Sequence, residues 1–126
     1  MKTLLDECIE ALEPNVKVFD LELSHEIVNR MPDNYPFTIY GRIDWGKVEK
    51  KRAISNSLLP SILDISDEVY VIWDGSTNNV LKTKIENVMK NIDDVLAVSF
   101  DTWLMQLDGN YIIEYHHNGN INLAFK

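Results

Sequence analysis

YIIEYHHNGNINLAF, residues 111–125, decides how the sheet of this protein is read. Apolar and polar residues alternate on both sides of an Asn-Gly pair, the pattern of two strands joined by a tight turn. A second turn signal, Leu107-Asp108-Gly109, precedes it, so the end of the chain reads as a three-strand meander. If each loop holds three residues and ends in glycine, Gly109 and Gly119 supply the left-handed conformation that closes a type I turn with a bulge. Gln106 then stands opposite Asn110, and His116 opposite Asn120. One face collects Trp103, Met105, Tyr111, Ile113, Tyr115, Ile121, Leu123 and Phe125. The other collects Thr102, Leu104, Gln106, Ile112, Glu114, His116, Asn120, Asn122 and Ala124. A two-residue Asn-Gly loop would set Glu114 beside Leu123 and His116 beside Ile121. Because a slip of one residue inverts every side chain, the three-residue loop is preferred. The meander thus has an apolar side for helices and a wet side.

Working back from the meander, VLAVSF (95–100) reads as a strand inside the sheet, with apolar residues on both faces. NNVLKTKIENVMKNID (78–93) reads as a helix with Leu81, Ile85, Val88 and Ile92 in one stripe. DEVYVIWD (67–74) is a strand followed by a turn at Gly75. KVEKKRAISNSLLPSILDI (47–65) reads as helical, divided at Pro60. PFTIYGRIDW (36–45) is rich in β-branched and aromatic residues and reads as a strand, with Gly41 as a bulge. Between residues 14 and 35, Val16, Val18, Leu21 and Leu23 hint at a strand, with Ser24 then capping a turn of helix. Residues 3–13 form an amphipathic helix that Pro14 stops. The sum is an α+β fold: a largely antiparallel sheet ending in a three-strand meander, with helices packed on one face.

The 126 residues suit one domain, 1–126, with a single core. Net charge is −8 and the sequence pI about 4.7. That balance argues against nucleic acid or an anionic membrane as partner, since both select clustered Lys and Arg. One cysteine, Cys8, excludes an internal disulfide, and its apolar neighbours make it a buried structural thiol. Acids interrupt the N-terminus, so no signal peptide is read there, and no apolar run is long enough to span a bilayer. The expected location is the cytoplasm.

Glu114 and His116 share a face and offer an acid–base pair to a small hydrolase or nuclease. Against this, no nucleophile or oxyanion donor stands near them, and two ligands fall short of the three a catalytic zinc takes from protein. No metal or cofactor is therefore expected. Lys47, Lys50, Lys51 and Arg52 form the one basic cluster and read as a solvated flank. Asp74-Gly75-Ser76 is an ordinary turn. Residues 53–126 hold ten acids and four bases. Asp93, Asp94, Asp101 and Asp108 stand at the ends of expected strands. Turn chemistry accounts for Asp108 more fully than for the others. Such carboxylates would steer a basic partner and pair with its Lys and Arg.

NIDDVLAVSFDTWLMQLDGNYIIEYHHNGNINLAF, the last third of the chain, resembles the C-terminal meander of small bacterial immunity proteins. These are cognate inhibitors encoded beside polymorphic toxins, including those of contact-dependent growth inhibition. The matching features are the aspartate pair before a short strand, SFDTW, and the YIIEYHHNGNI hairpin. The resemblance implies a protein with no reaction of its own that binds one toxin domain and blocks its active site or substrate entry. Many such toxins are nucleases with basic grooves, for which an acidic face would stand in for phosphates. The expected toxin-binding residues are Asp93, Asp94, Asp101, Asp108, Glu114 and His116.

Overall fold

Thr3 opens the first helix with a reciprocal cap. Its side chain accepts from the Asp6 N–H, while the Asp6 carboxylate accepts from the Thr3 N–H. In this computed structural model, which describes residues 2–74 and 78–126, helix α1 (Leu4–Leu12) buries Cys8 and Leu12 as the spacing predicts. Burial, with the nearby Asp94 charge adding to it, pushes the Cys8 thiol up to about 12. The thiol is structural, and Pro14 follows the helix as expected.

The strands are β1 (Lys17–Val18), β2 (Lys50–Ala53), β3 (Glu68–Trp73), β4 (Leu81–Lys84), β5 (Thr102–Gln106), β6 (Tyr111–Tyr115) and β7 (Ile121–Phe125). They form one open sheet in the order β1-β4-β3-β5-β6-β7-β2, and every neighbouring pair is antiparallel. The α+β class and the antiparallel sheet are as the sequence indicates. The remaining helices are α2 (Leu21–Val28), α3 (Met31–Asn34), α4 (Leu59–Ile62), α5 (Ile85–Lys90) and α6 (Ile92–Leu96).

Alternation along the strands splits the buried residues between two sheet faces. Val69, Val71, Leu104, Ile113 and Leu123 pack with residues of α1, α4, α5 and α6, including Leu12, Leu59, Ile85, Val88 and Val95. Ile72, Trp103, Met105, Ile112 and Ala124 pack with Ile27 of α2, Met31 of α3, and Tyr35, Ile43 and Val48 of the segment that follows. The second face is therefore not open to water.

Several local expectations are corrected. Leu21 and Leu23 belong to α2, whose cap is Asp20, accepting from the Leu23 N–H at 2.8 Å. Ser24 instead lies buried inside that helix, where its hydroxyl accepts from the Val80 N–H. Residues 36–45 do not form a strand: one bridge, Phe37 to Ile43, closes a turn carrying Gly41 at φ 78°. The stretch 47–65 supplies β2 and the short helix α4 in place of a long helix. Lys50, Lys51 and Arg52 thus lie exposed on an edge strand, where charge discourages pairing with another chain. Residues 78–93 begin with β4, because Leu-Lys-Thr-Lys alternates buried and outer positions before α5 starts. Residues 95 and 96 end helix α6, so no strand forms at 95–100. The turn read at Gly75 and Ser76 lies outside the described residues.

The two hairpins of the meander divide the register expectation between them. His116 does pair with Asn120, donating to its carbonyl at 2.9 Å, and the Gly119 N–H returns to the His116 carbonyl. The first hairpin has a four-residue loop, with Met105 opposite Ile112 and Thr102 opposite Tyr115. Gln106 explains the wider turn: its side-chain oxygen accepts from the N–H groups of Asp108 and Asn110. The one-residue difference rotates Trp103 and Met105 onto the face of Ile112 and Glu114.

Candidate functional site

Glu114 was expected to look outward, yet it is 3 % exposed. Its Oε1 accepts from the Trp45 indole at 3.0 Å and its Oε2 from the Trp103 indole at 2.9 Å. Both corrections above contribute. The wider first loop brings Trp103 to this face, and the irregular segment after α3 lays Ile43, Trp45 and Val48 across it. A buried carboxyl needs its oxygens satisfied, and the two tryptophans do so while tying that segment to β5 and β6. The His116 ring is elsewhere engaged: Nδ1 accepts from the Asn118 N–H, and the ring lies 4.0 Å from that of His117. The expected Glu114–His116 acid–base pair is not assembled.

Asp101, just before β5, is a hub. Its Oδ1 accepts from the His117 N–H at 2.7 Å and lies 3.0 Å from His117 Nδ1. Its Oδ2 is 2.9 Å from Arg42 Nη1, and its own N–H donates to Asp74 Oδ1. Burial alone would push this carboxyl up. The His117 N–H, the His117 ring and the Arg42 guanidinium outweigh it and hold Asp101 below the usual carboxylate range. The guanidinium also lies over the Trp103 ring, 5.4 Å from its centroid. The Asp101 carboxylate thereby joins the 38–42 turn to the second hairpin, and its backbone N–H ties both to the residue that follows β3. Asp101, His116 and His117 each offer a donor atom, all within 4.8 Å of one another.

The most exposed large apolar side chains among the described residues stand on the segments that meet at this hub. Ile39 and Tyr40, at the tip of the turn that Arg42 anchors, are 94 % and 85 % exposed. Phe100, next to Asp101, is 79 % exposed and meets the His117 ring edge to face. The Arg42–Asp101 ion pair links the turn that carries Ile39 and Tyr40 to the residue that follows Phe100, and apolar side chains this exposed are unusual on a water-facing surface. A cleft of about 610 Å³ opens between α2 and the 37–43 turn, with Tyr40, Arg42 and Asp74 on its wall.

Of the six residues expected to bind a partner, the fold brings together only some. Asp93 and Asp94 lie exposed in the first turn of α6. That helix is fastened to the end of β3 by the Trp73 indole, which donates to the Val95 carbonyl. His116 is half-buried and His117 exposed beside Asp101, which is itself buried. Asp108 is exposed in the turn at the other end of the meander. Ile39, Tyr40 and Phe100 stand in two segments whose sequence reads as strand, so the local pattern gives no sign of their exposure. The Tyr40-Gly41 pair was the available turn signal.

Among the described residues no helix is long and apolar enough to cross a membrane. A family model described as CdiI immunity protein EcoliA0-like matches residues 2–124, nearly the whole chain, so the chain belongs to this family. No curated protein matches it.

Proposed function

We propose that this member of the CdiI immunity family neutralises its cognate toxin by docking the sheet end around Asp101 against a basic, nuclease-type toxin domain. The observation that carries this reading is that Ile39, Tyr40 and Phe100, all more than three-quarters exposed, stand on the two segments that the buried Asp101 carboxylate and Arg42 join. Aromatic anchors of this kind supply most of the energy of an interface when a partner desolvates them. Acids flank them. Asp93 and Asp94 of α6 are exposed, and α1, which packs on α6, exposes Asp6, Glu7 and Glu10, with Glu13 exposed just after it. The bases Lys50, Lys51 and Arg52 lie on the β2 edge of the sheet, away from α6. An acidic wall beside an apolar centre would steer a basic groove and then hold it.

In this reading His116 and His117 touch the toxin, and Asp101 positions His117 and Arg42. Glu114 holds the two tryptophans in place, and Asp108 takes no part. The protein carries no reaction of its own and acts by covering the groove, in the cytoplasm.

The test is binding and neutralisation of the cognate toxin domain by purified protein. Tyr40→Ala with Phe100→Ala should weaken binding by about 2–4 kcal/mol, the range of interface anchors. Asp93→Lys with Asp94→Lys should slow association, and added salt should slow the unaltered protein in the same way. Retention of full affinity by the Tyr40→Ala, Phe100→Ala protein would sink the docking site. A toxin domain that cleaves no nucleic acid would sink the nuclease assignment alone.

A further inference from the structure

We propose that Asp101, His116 and His117 form a binding site for a divalent transition-metal ion of the zinc type. The three donor atoms already lie within 4.8 Å of one another. Asp101 Oδ1 and His117 Nδ1 are 3.0 Å apart. Two donors sharing a tetrahedral ion at about 2.1 Å are separated by roughly 3.4 Å, so this pair needs almost no movement. The His116 ring lies against His117, with 4.0 Å between centroids, and since its Nδ1 accepts from the Asn118 N–H, Nε2 is the nitrogen left to complete the set.

The backbone that carries these ligands is fixed. The His116 N–H donates to the Asn120 carbonyl, the Gly119 N–H to the His116 carbonyl, and the His117 N–H to Asp101 itself. Asp101 is also held from behind by Arg42, so its carboxylate cannot swing away from the histidines. A carboxylate has about four lone-pair directions, and the one on Oδ1 that now faces the His117 ring is the one the ion would take. Two imidazoles and one carboxylate suit zinc, cobalt, nickel or copper, whereas magnesium and calcium favour all-oxygen sites. Three protein donors leave a fourth position open to water. The nearby Arg42 charge opposes the ion, so binding is weaker than at a thiolate zinc centre. The site does not depend on how the toxin docks.

Calorimetric titration of the untagged, chelator-treated protein with zinc chloride tests this directly. One zinc should bind per chain, and cobalt chloride should give the visible absorption of a low-coordinate nitrogen–oxygen site. His116→Gln and His117→Gln should each weaken zinc roughly tenfold or more, the scale on which such sites respond to altered ligation. His25→Gln, remote in sequence, should leave the titration unchanged. Circular dichroism checks that each variant is folded. The proposal is overturned if folded wild-type protein takes up no stoichiometric zinc, if either His116→Gln or His117→Gln binds as tightly as wild type, or if His25→Gln abolishes binding.

Discussion

Gly109 and Gly119 each close a turn of the same meander in the left-handed region, at φ 77° and 94°, but their surroundings are opposite. Around Gly109 the chain is sealed. The Tyr35 hydroxyl donates to the Gly109 carbonyl at 2.7 Å, Asn34 lies against the glycine, and the Lys126 N–H returns to the Asn110 carbonyl. Around Gly119 there is open space, and beside that turn stand exposed imidazole and Phe100. The contrast shows a division of labour along one pair of hairpins. One end of the sheet is closed by the protein's own helices, and the other, the end proposed above to meet the toxin, is left more open.

Gly109→Ala should cost the most stability. An added Cβ would sit 2.6 Å from Asn34 Nδ2, and the side-chain amide would have to give up its bond to the Arg30 carbonyl to move. The left-handed penalty and the crowding together should cost about 2–4 kcal/mol, read as a lower urea midpoint. Next comes Glu114→Gln. Glutamine has one acceptor oxygen, so either Trp45 or Trp103 faces an N–H in place of an oxygen, for a loss of about 1–3 kcal/mol. A near-neutral result would mean that the indoles find other acceptors. Gly119→Ala meets no neighbour within 4 Å, so only the backbone penalty of about 1–2 kcal/mol applies. If it costs as much as Gly109→Ala, the contrast between the two turns is broken.

How much of this was legible differs by region, for physical reasons. The meander, α1 and β3 were readable because each carries its own periodicity and its own stop signal, such as Pro14 and Gly119. The register of the first hairpin was not, since it hangs on a side chain: Gln106 satisfies two loop N–H groups and so widens the turn by one residue. That unseen contact, together with the folding of residues 36–48 across the same face, hid the burial of Glu114. Residues 78–84 carry both a helical stripe and a two-residue alternation, and pairing with β3 decided between them. The Asp101 hub depends on Arg42, fifty-nine positions away along the chain, which no local pattern connects to it. Exposed aromatics in apparent strands looked like core, so the surface they form was legible only after folding.

Phe100→Ala gives the smallest expected effect on stability and the sharpest use of the comparison. The ring is 79 % exposed, and its recorded aromatic contact is the edge-to-face meeting with His117. Truncation empties no core position, so the urea midpoint should move by no more than the equivalent of about 0.5 kcal/mol. Neutralisation of the toxin should fall sharply in the same variant, because an exposed aromatic contributes its free energy only when a partner covers it. A substitution that leaves folding intact and removes binding separates the two ends of the meander by experiment. Should Phe100→Ala destabilise the free protein as Gly109→Ala does, Phe100 is part of the fold, and the open end of the sheet is not an uncovered surface.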